Sequence, residues 1–314
     1  MRGPALIVIA ALVGCGTSSN ESSVDAAVDG EHDSGAGGSD SMPPNPSGDP
    51  AETGTSTFTT MEASIPGALA NRTVAATVFV PSTPGPHALV VISPGFQLDR
   101  TQYTSYAQHL ASWNFVAVLT TYAESGFSID HQRIANDVPA VITWALAQSS
   151  LGVDPQRIAT AGHSLGGKIS ILAAVGDPRI KAVVAWDPVD SNTPSVAPEK
   201  MASLTAALAV IGETTDSAGG FMPCAPAADN FTQYYAAAPA PALQATVANA
   251  DHMDWVDDPT CFVCGLCTAG TADAADARTA TKRLDVAWLR KQLFADSAMD
   301  AWLTSTSSVA IVSH

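Results

Sequence analysis

The sequence predicts an α/β fold, a mainly parallel sheet with helices on both faces, from three observations. Short apolar runs alternate with amphipathic segments of helical length throughout residues 58–314. The run at 88–93 is almost wholly apolar, which is typical of a strand buried on both faces. Residues 162–166 read Gly-His-Ser-Leu-Gly, directly after an apolar run and directly before a helical one. This motif in this setting indicates an α/β-hydrolase fold.

The individual elements follow from residue type and spacing. Runs rich in β-branched and apolar residues predict strands at 57–64, 73–80, 88–93, 115–120, 158–161, 180–186, 204–211 and 243–247. Apolar residues spaced three and four apart predict helices at 134–146, 168–175, 229–237 and 278–293, the last extending towards 303. The same spacing occurs at Tyr103, Tyr106, Leu110 and Trp113. We therefore expect a further helix there, with its aromatic face in the core.

Ser164 is the candidate nucleophile. A serine hydroxyl reacts poorly unless the chain holds it clear of its neighbours and beside a base, and a sharp strand-to-helix turn does this. The glycines at 162 and 166 leave room for that turn, and the amide of Leu165 would face a developing oxyanion. The alternative is a glycine-rich turn in which Ser164 only caps the helix.

His252 is the candidate base by elimination. In an α/β-hydrolase the order along the chain is serine, acid, histidine. Of the seven histidines, only His252 and His314 follow Ser164. We expect His314 to fray because it is the last residue, whereas His252 follows the last predicted strand. His163, next to the nucleophile, is expected to pack beneath it.

Two aspartates compete for the role of the acid that orients the histidine. Asp187 ends the strand after the serine motif, and Asp216 follows the next strand. Either place suits an acid that fixes the histidine tautomer. Asp190 and Glu213 are weaker candidates, and residue order alone leaves the choice open.

Four segments resemble the chlorophyllase family of α/β-hydrolases. They are Gly-His-Ser-Leu-Gly-Gly-Lys at 162–168, Asp-Pro-Val-Asp at 187–190, Pro-Cys-Ala-Pro at 223–226 and His-Met-Asp-Trp-Val-Asp-Asp at 252–258. The resemblance implies a serine esterase with Asp187 as the acid, at the separation from Ser164 found in platelet-activating-factor acetylhydrolases. A fainter likeness to the same family continues from Ser-Pro-Gly-Phe at 93–96.

A second resemblance keeps an alternative open. Residues 212–216 are similar to the acid loop of bacterial cutinases and polyester hydrolases, and residues 93–96 to their oxyanion segment. This resemblance implies that the Phe96 amide is the second oxyanion donor, beside that of Leu165. Chlorophyllases commonly carry arginine after the nucleophile, where this chain has Leu165. A cutinase-like polyester hydrolase or lipase, with Asp216 as the acid, is therefore the alternative function.

The chain has five cysteines, of which Cys15 lies in the N-terminal segment and is expected to carry a lipid. The other four are Cys224, Cys261, Cys264 and Cys267. An even number in an exported domain predicts two disulfides, in one of three connectivities. The alternative is a zinc or iron–sulfur site built from these thiolates.

The N-terminal segment predicts export. Residues 1–14 combine Arg2 with a short apolar stretch, and Leu-Val-Gly-Cys at 12–15 resembles a bacterial lipobox in which Cys15 is lipidated. An ordinary secretory signal is the alternative. Residues 15–57 are rich in Ser, Gly, Asp and Pro, so we expect a disordered tether that leads to a catalytic domain at 58–314.

The whole chain is acidic, with a formal net charge of −16. Such a chain lacks the basic patch that a nucleic-acid partner needs. We therefore predict an exported serine carboxylic-ester hydrolase, anchored to a bacterial membrane by lipid alone, that acts on a small or polymeric ester without metal or organic cofactor. The oligomeric state stays open. From another functional class, a tethered binding module on an inactive hydrolase fold is the alternative.

Overall fold

One mixed sheet organises the protein in a computed structural model that describes residues 48–124, 126, 128–219, 223–260 and 264–314. These residues lie in a compact unit at Ser41–His314; the other unit, Met1–Asp40, lies outside the described residues. The described strands are β1 Phe58–Pro66, β2 Thr73–Pro81, β3 His87–Ser93, β4 Phe115–Thr121, β5 Val153–His163, β6 Ile180–Trp186, β7 Ala207–Glu213, β8 Ala242–Val247 and β9 Val309–Ser313. Their spatial order is β1-β2-β4-β3-β5-β6-β7-β8-β9.

The centre of the sheet is parallel and its ends are antiparallel. Strands β4, β3, β5, β6, β7 and β8 pair in parallel, whereas β1–β2, β2–β4 and β8–β9 pair antiparallel. The central strands are buried along nearly their whole length, because helices cover both faces. The predicted α/β-hydrolase fold is confirmed.

Five described helices form the two outer layers. They are α1 Thr104–Ser112, α2 His131–Ala147, α3 Leu165–Gly176, α4 Phe231–Ala237 and α5 Ala274–Phe294. Helices α1 and α5 share one apolar core with one face of the sheet, and α2, α3 and α4 share a second core with the other face. Asp130, Asn230 and Asp273 cap α2, α4 and α5 by accepting a hydrogen bond from a first-turn amide. None of the described helices is both long enough and apolar enough to cross a membrane.

The predicted elements are present with shifted ends, and one strand was not predicted. Strand β9 pairs with β8, and the amide and carbonyl of His314 both hydrogen-bond Ala242. The His314 ring also contacts the carbonyl oxygen of Ala238 at 2.9 Å. The expectation that His314 frays is therefore wrong, because an antiparallel partner satisfies its backbone groups.

The folded domain begins earlier than composition indicates. Part of the expected tether, residues 49–56, lies against the end of α1. The His109 Nε2 atom is 2.8 Å from the carbonyl oxygen of Pro50, and Trp113 donates to the carbonyl oxygen of Glu52 at 3.0 Å. The expected signal peptide, the lipidation site Cys15 and the tether up to residue 47 lie outside the described residues.

Candidate active site

Ser164 lies at the turn between β5 and α3, at the carboxyl edge of the sheet. Its φ of 54° and ψ of −119° fall where side-chain-bearing residues are rare. The surroundings hold this conformation: the Ser164 amide donates to the carbonyl oxygen of Trp186 at 2.9 Å, and the Lys168 amide donates to the Ser164 carbonyl at 3.2 Å. The turn thus presents the side chain at the start of the helix, as expected of a nucleophile elbow.

Two glycines make that turn possible. A Cβ on Gly162 would lie 2.6 Å from the carbonyl oxygens of Gly166 and Ser93. A Cβ on Gly166 would lie 2.0 Å from the Ser93 carbonyl oxygen. Both contacts are with main-chain atoms that cannot rotate away, so the approach of α3 to β3 requires glycine at these positions.

Three side chains from separate segments are hydrogen-bonded in series. The Ser164 Oγ atom is 2.9 Å from the Nε2 atom of His252, and the His252 Nδ1 atom is 2.6 Å from Asp187 Oδ2. Ser164 follows β5, Asp187 follows β6 and His252 follows β8. Parallel strands deliver all three to one edge of the sheet, where such folds place their sites.

Asp187 is fully buried. Its Oδ2 atom contacts the His252 ring, whereas its Oδ1 atom has no hydrogen-bond partner among the described residues. Burial raises the pKa of the Asp187 carboxyl, and the hydrogen bond to His252 opposes that rise. A buried carboxylate of this kind stabilises a proton on the adjacent imidazole.

The alternative acid, Asp216, is engaged elsewhere. Its Oδ2 atom accepts hydrogen bonds from the amides of Cys224 at 2.6 Å and Ala225 at 2.8 Å. Glu213 accepts from the amide of Asp216, and burial together with the charge of Asp187 raises the pKa of Glu213 to about 8. Burial and the charge of Asp187 thus favour the neutral form of Glu213, and these two acids organise the loop after β7.

Asp190, the other weaker candidate, forms a buried ion pair. The Lys168 Nζ atom lies 3.0 Å from Asp190 Oδ1 and donates to the carbonyl oxygens of Ser191 and Asn192 at 2.7 and 2.9 Å. Lys168 is completely buried on the first turns of α3. The pair therefore ties the helix behind Ser164 to the loop that forms one wall of the site.

A capping box positions the His252 segment. His252 begins a 3-10 turn at His252–Trp255, for which Asp251 accepts from the Met253 amide and Asp254 accepts from the Asp251 amide. Asp251 also accepts from the amide of Gly270 at 2.6 Å. Burial raises the pKa of Asp254 to about 6. These capping hydrogen bonds hold the backbone in place on both sides of His252.

His163 is buried beneath the site. Its Nδ1 atom is 2.8 Å from the Tyr103 hydroxyl, and its Nε2 atom is 2.8 Å from the carbonyl oxygen of His252. The side chain therefore contacts Tyr103 and the backbone of His252 instead of the Ser164 hydroxyl. Helical spacing correctly predicted that Tyr103 lies in the core, but it did not predict the hydrogen bonds of its hydroxyl. A tyrosine at a core position, whose hydroxyl needs a partner, was the sequence signal for such contacts.

A cavity of about 740 Å³ opens beside Ser164 and His252. Phe96 and Leu165, the expected oxyanion donors, both line it. Apolar side chains including Ile129, Val189 and Met253 form much of the remaining wall. The space accommodates a drug-sized apolar group, with Ser164 and His252 among the lining residues.

A disulfide joins two parts of the cavity wall. Cys224 and Cys267 are bonded, with their Cα atoms 5.3 Å apart, and both line the cavity. Cys264 is also disulfide-bonded, while Cys261 lies outside the described residues. The bonded sulfurs of Cys224 and Cys267 are not free thiolates, which counts against the zinc or iron–sulfur alternative.

A known family model covers most of this chain. The family model named Chlorophyllase matches residues 50–312. The chain belongs to the chlorophyllase family. The match begins where the chain first contacts α1, so the family domain includes the packed end of the expected tether.

One curated protein gives a more distant comparison within the chlorophyllase family. Chlorophyllase-1 of Arabidopsis thaliana is 26% identical to this chain over 205 residues. The aligned region covers 57% of this chain and 62% of that protein. The similarity therefore supports an esterase-like hydrolase and leaves the substrate to be found by experiment.

Proposed function

We propose that the protein is a serine carboxylic-ester hydrolase that works through an acyl-enzyme. The observation that supports this most directly is the series of hydrogen bonds from Ser164 through His252 to Asp187 beside an apolar cavity. Membership of the chlorophyllase family points to the same chemistry.

In the proposed mechanism Ser164 Oγ attacks the ester carbonyl carbon while His252 Nε2 accepts the hydroxyl proton. Asp187 keeps the His252 Nδ1 proton in place and stabilises the imidazolium that forms. His252 then gives its proton to the departing alcohol oxygen, which leaves an ester on Ser164. Water, deprotonated by His252, attacks that ester and releases the acid and free Ser164.

The amides of Phe96 and Leu165 are proposed to hold the oxyanion. Both residues line the cavity next to Ser164, and Leu165 is the first residue of α3. An amide in that place points along the helix axis towards developing negative charge. Losing one such donor costs roughly 10²- to 10³-fold in kcat in other hydrolases.

We propose that the substrate is an ester with a bulky apolar group. The apolar wall and the volume of about 740 Å³ support this class. The name of the Arabidopsis relative makes chlorophyll one substrate to test. Polyesters and long-chain acyl esters belong in the same screen, because a cutinase-like enzyme would prefer them.

The test is hydrolysis of p-nitrophenyl esters by the wild-type protein and by Ser164→Ala. We expect Ser164→Ala to lower kcat by about 10⁴-fold or more, with the fold retained. A fluorophosphonate probe should label the wild type and not the variant. Activity of Ser164→Ala within tenfold of the wild type would exclude the mechanism, and an inactive wild type would favour a binding module.

We also propose export and lipid anchoring at Cys15. The support is the Leu-Val-Gly-Cys sequence at residues 12–15 after a short apolar stretch. In the native host, the wild type should fractionate with membranes and Cys15→Ser should not. Unchanged membrane association of Cys15→Ser would exclude the lipobox.

A further inference from the structure

A chain of hydrogen bonds runs beneath the proposed triad, and the mechanism above does not use it. The Gly95 amide donates to the Tyr103 hydroxyl at 3.1 Å. The same hydroxyl is 2.8 Å from His163 Nδ1, and His163 Nε2 is 2.8 Å from the carbonyl oxygen of His252. The chain therefore connects the residue before Phe96 with the backbone of the proposed base.

The direction of every bond in this chain is determined by chemistry. The His252 carbonyl can only accept, so His163 Nε2 carries a proton. Burial lowers the pKa of His163 well below its ordinary value, so the ring is neutral and its Nδ1 atom is an acceptor. The Tyr103 hydroxyl must then donate to Nδ1 while it accepts from Gly95. The Tyr103 hydroxyl is thus both acceptor and donor, and reversing one bond would leave a neighbouring group without a donor or an acceptor.

The surrounding segments are fastened together by a second set of bonds. The Ser105 amide donates to Asp257 Oδ2 at 2.8 Å, and the Asp257 amide donates to the carbonyl oxygen of Gln102 at 2.8 Å. The Asp258 amide donates to the Gln102 side-chain oxygen at 2.9 Å. Residues on both sides of Tyr103 are thus tied to the segment that follows His252.

There is little room for this arrangement to relax. Tyr103 and His163 are fully buried. The His163 ring is stacked on Trp255, with ring centres 6.2 Å apart, and lies 4.6 Å from the His252 ring. A Cβ on Gly95 would come within 3.0 Å of the Tyr103 hydroxyl and 3.2 Å of His163 Nδ1. A shift at one end of the chain therefore moves the other.

We propose that Tyr103 and His163 are positioning residues that hold the base His252 and the oxyanion segment at Gly95 and Phe96 in a fixed relation to Ser164. The inference rests on the proposed esterase function. It assigns the histidine of the Gly-His-Ser motif a role through the backbone of His252 instead of in proton transfer. Small misplacements of a base or an oxyanion donor have large effects on rate, so the role is measurable.

The test compares Tyr103→Phe with Tyr106→Phe. Both tyrosines are fully buried, and both stack on Trp186 with ring centres 6.2 and 4.3 Å away. The Tyr106 hydroxyl has no hydrogen-bond partner among the described residues, so Tyr106→Phe removes a hydroxyl from the same core without touching the chain. Values of kcat are taken per active site titrated with a fluorophosphonate, well below the melting temperature, which separates misplacement from unfolding.

We expect Tyr103→Phe to lower kcat about 10- to 100-fold with KM within about threefold, and Tyr106→Phe to stay within about twofold of the wild type in both. His163→Phe, which keeps a ring against Trp255, should lower kcat at least as much. The double variant Tyr103→Phe/His163→Phe should be no worse than His163→Phe alone, because both act through one chain.

Equal kcat per titrated site in Tyr103→Phe and the wild type would overturn the inference while the esterase function stands. Equal losses in Tyr103→Phe and Tyr106→Phe would overturn it too, because packing alone would then explain the effect. A wild type that hydrolyses no ester and resists the fluorophosphonate would overturn the proposed function, and this inference with it.

Discussion

Asp187 and Asp216 follow neighbouring strands of the sheet, are both buried, and differ in what their oxygens contact. Asp187 has the His252 ring at 2.6 Å, whereas Asp216 has the backbone amides of Cys224 and Ala225. A carboxylate that accepts main-chain amides stabilises a loop, and one that accepts an imidazole N–H orients a base. The two residues therefore have separable effects on activity.

Replacing each aspartate by asparagine tests that separation. Asp187→Asn should lose about 10³- to 10⁴-fold in kcat, because an amide at this place favours the wrong histidine tautomer. Asp216→Asn should change kcat by less than about tenfold, and Glu213→Gln should behave likewise. Steady-state ester hydrolysis measures all three, and the reverse ranking would move the acid to the loop after β7.

Asp285 offers a prediction about stability, away from the proposed chemistry. It lies in α5, and its Oδ1 atom accepts from the Trp186 indole at 2.9 Å while Oδ2 has no described partner. Burial raises the pKa of Asp285 to about 8 from an ordinary value of 3.8. Between about pH 4 and 8 this carboxyl is therefore more protonated in the folded state than in the unfolded chain.

This protein's free energy of unfolding should fall as the pH rises through that window. Asp285→Asn keeps the acceptor for Trp186 and removes the titration, so the loss between pH 5 and 9 should be smaller in the variant by about 2 kcal/mol or more. Urea unfolding at both pH values measures it. The exposed Asp276 on the same helix supplies the control Asp276→Asn, and equal losses in both variants would contradict the prediction.

The strand–turn–helix around Ser164 is an element whose backbone leaves little freedom. A methyl group on Gly166 would meet the Ser93 carbonyl oxygen at 2.0 Å, whereas one on Gly176, at the end of the same helix, would meet nothing within 4 Å. Gly166→Ala should therefore destabilise the protein by about 3 kcal/mol or more and abolish hydrolysis. Gly176→Ala should change stability by less than about 1 kcal/mol. Thermal unfolding and activity distinguish them, and a stable, active Gly166→Ala protein would contradict this geometry.

At the level of elements, the sequence predicted the strands and helices that have long apolar runs or regularly spaced apolar residues. Central strands such as β6, where the predicted and observed bounds agree, are nearly all apolar. Strand β9 was missed although residues 309–312 read Val-Ala-Ile-Val, because a run this short does not by itself distinguish a strand from other structure; only Val309 of its five residues is buried. It is paired by backbone hydrogen bonds, which sequence patterns reveal weakly.

The choice of acid and the start of the domain could not be read from composition for a related reason. Both aspartates follow strands of the same sheet, Asp187 directly after β6 and Asp216 three residues after the end of β7, and the sequence does not show which side chain contacts His252. The segment from residue 49 to 56 is held by main-chain carbonyls, among them those of Pro50 and Glu52, on which residue type has little influence. Such contacts depend on the shape of the whole fold.

The disulfide between Cys224 and Cys267 constrains the molecule over 43 residues. The closed loop contains α4, β8 and His252. In the chain-entropy account, a bond over this length stabilises the folded state by about 2–4 kcal/mol.

Replacing both cysteines by serine tests this contribution. Cys224→Ser/Cys267→Ser should lower the free energy of unfolding by about 2–4 kcal/mol and increase hydrogen exchange around His252 before the sheet opens. Non-reducing mass spectrometry of the wild type should show no free thiol at either position. Two alkylatable thiols there, or unchanged stability of the variant, would contradict the prediction.

The positive φ of Ser164 also limits which chemistries this scaffold could acquire. Serine, cysteine and threonine can each serve as an enzyme nucleophile, but threonine is branched at Cβ and avoids this backbone region. The backbone at this position therefore allows cysteine in place of serine, and it disfavours threonine because of the additional methyl group on Cβ. Descendants of such a chain could move between hydroxyl and thiol nucleophiles by one substitution, whereas a threonine nucleophile would require the turn itself to be rebuilt.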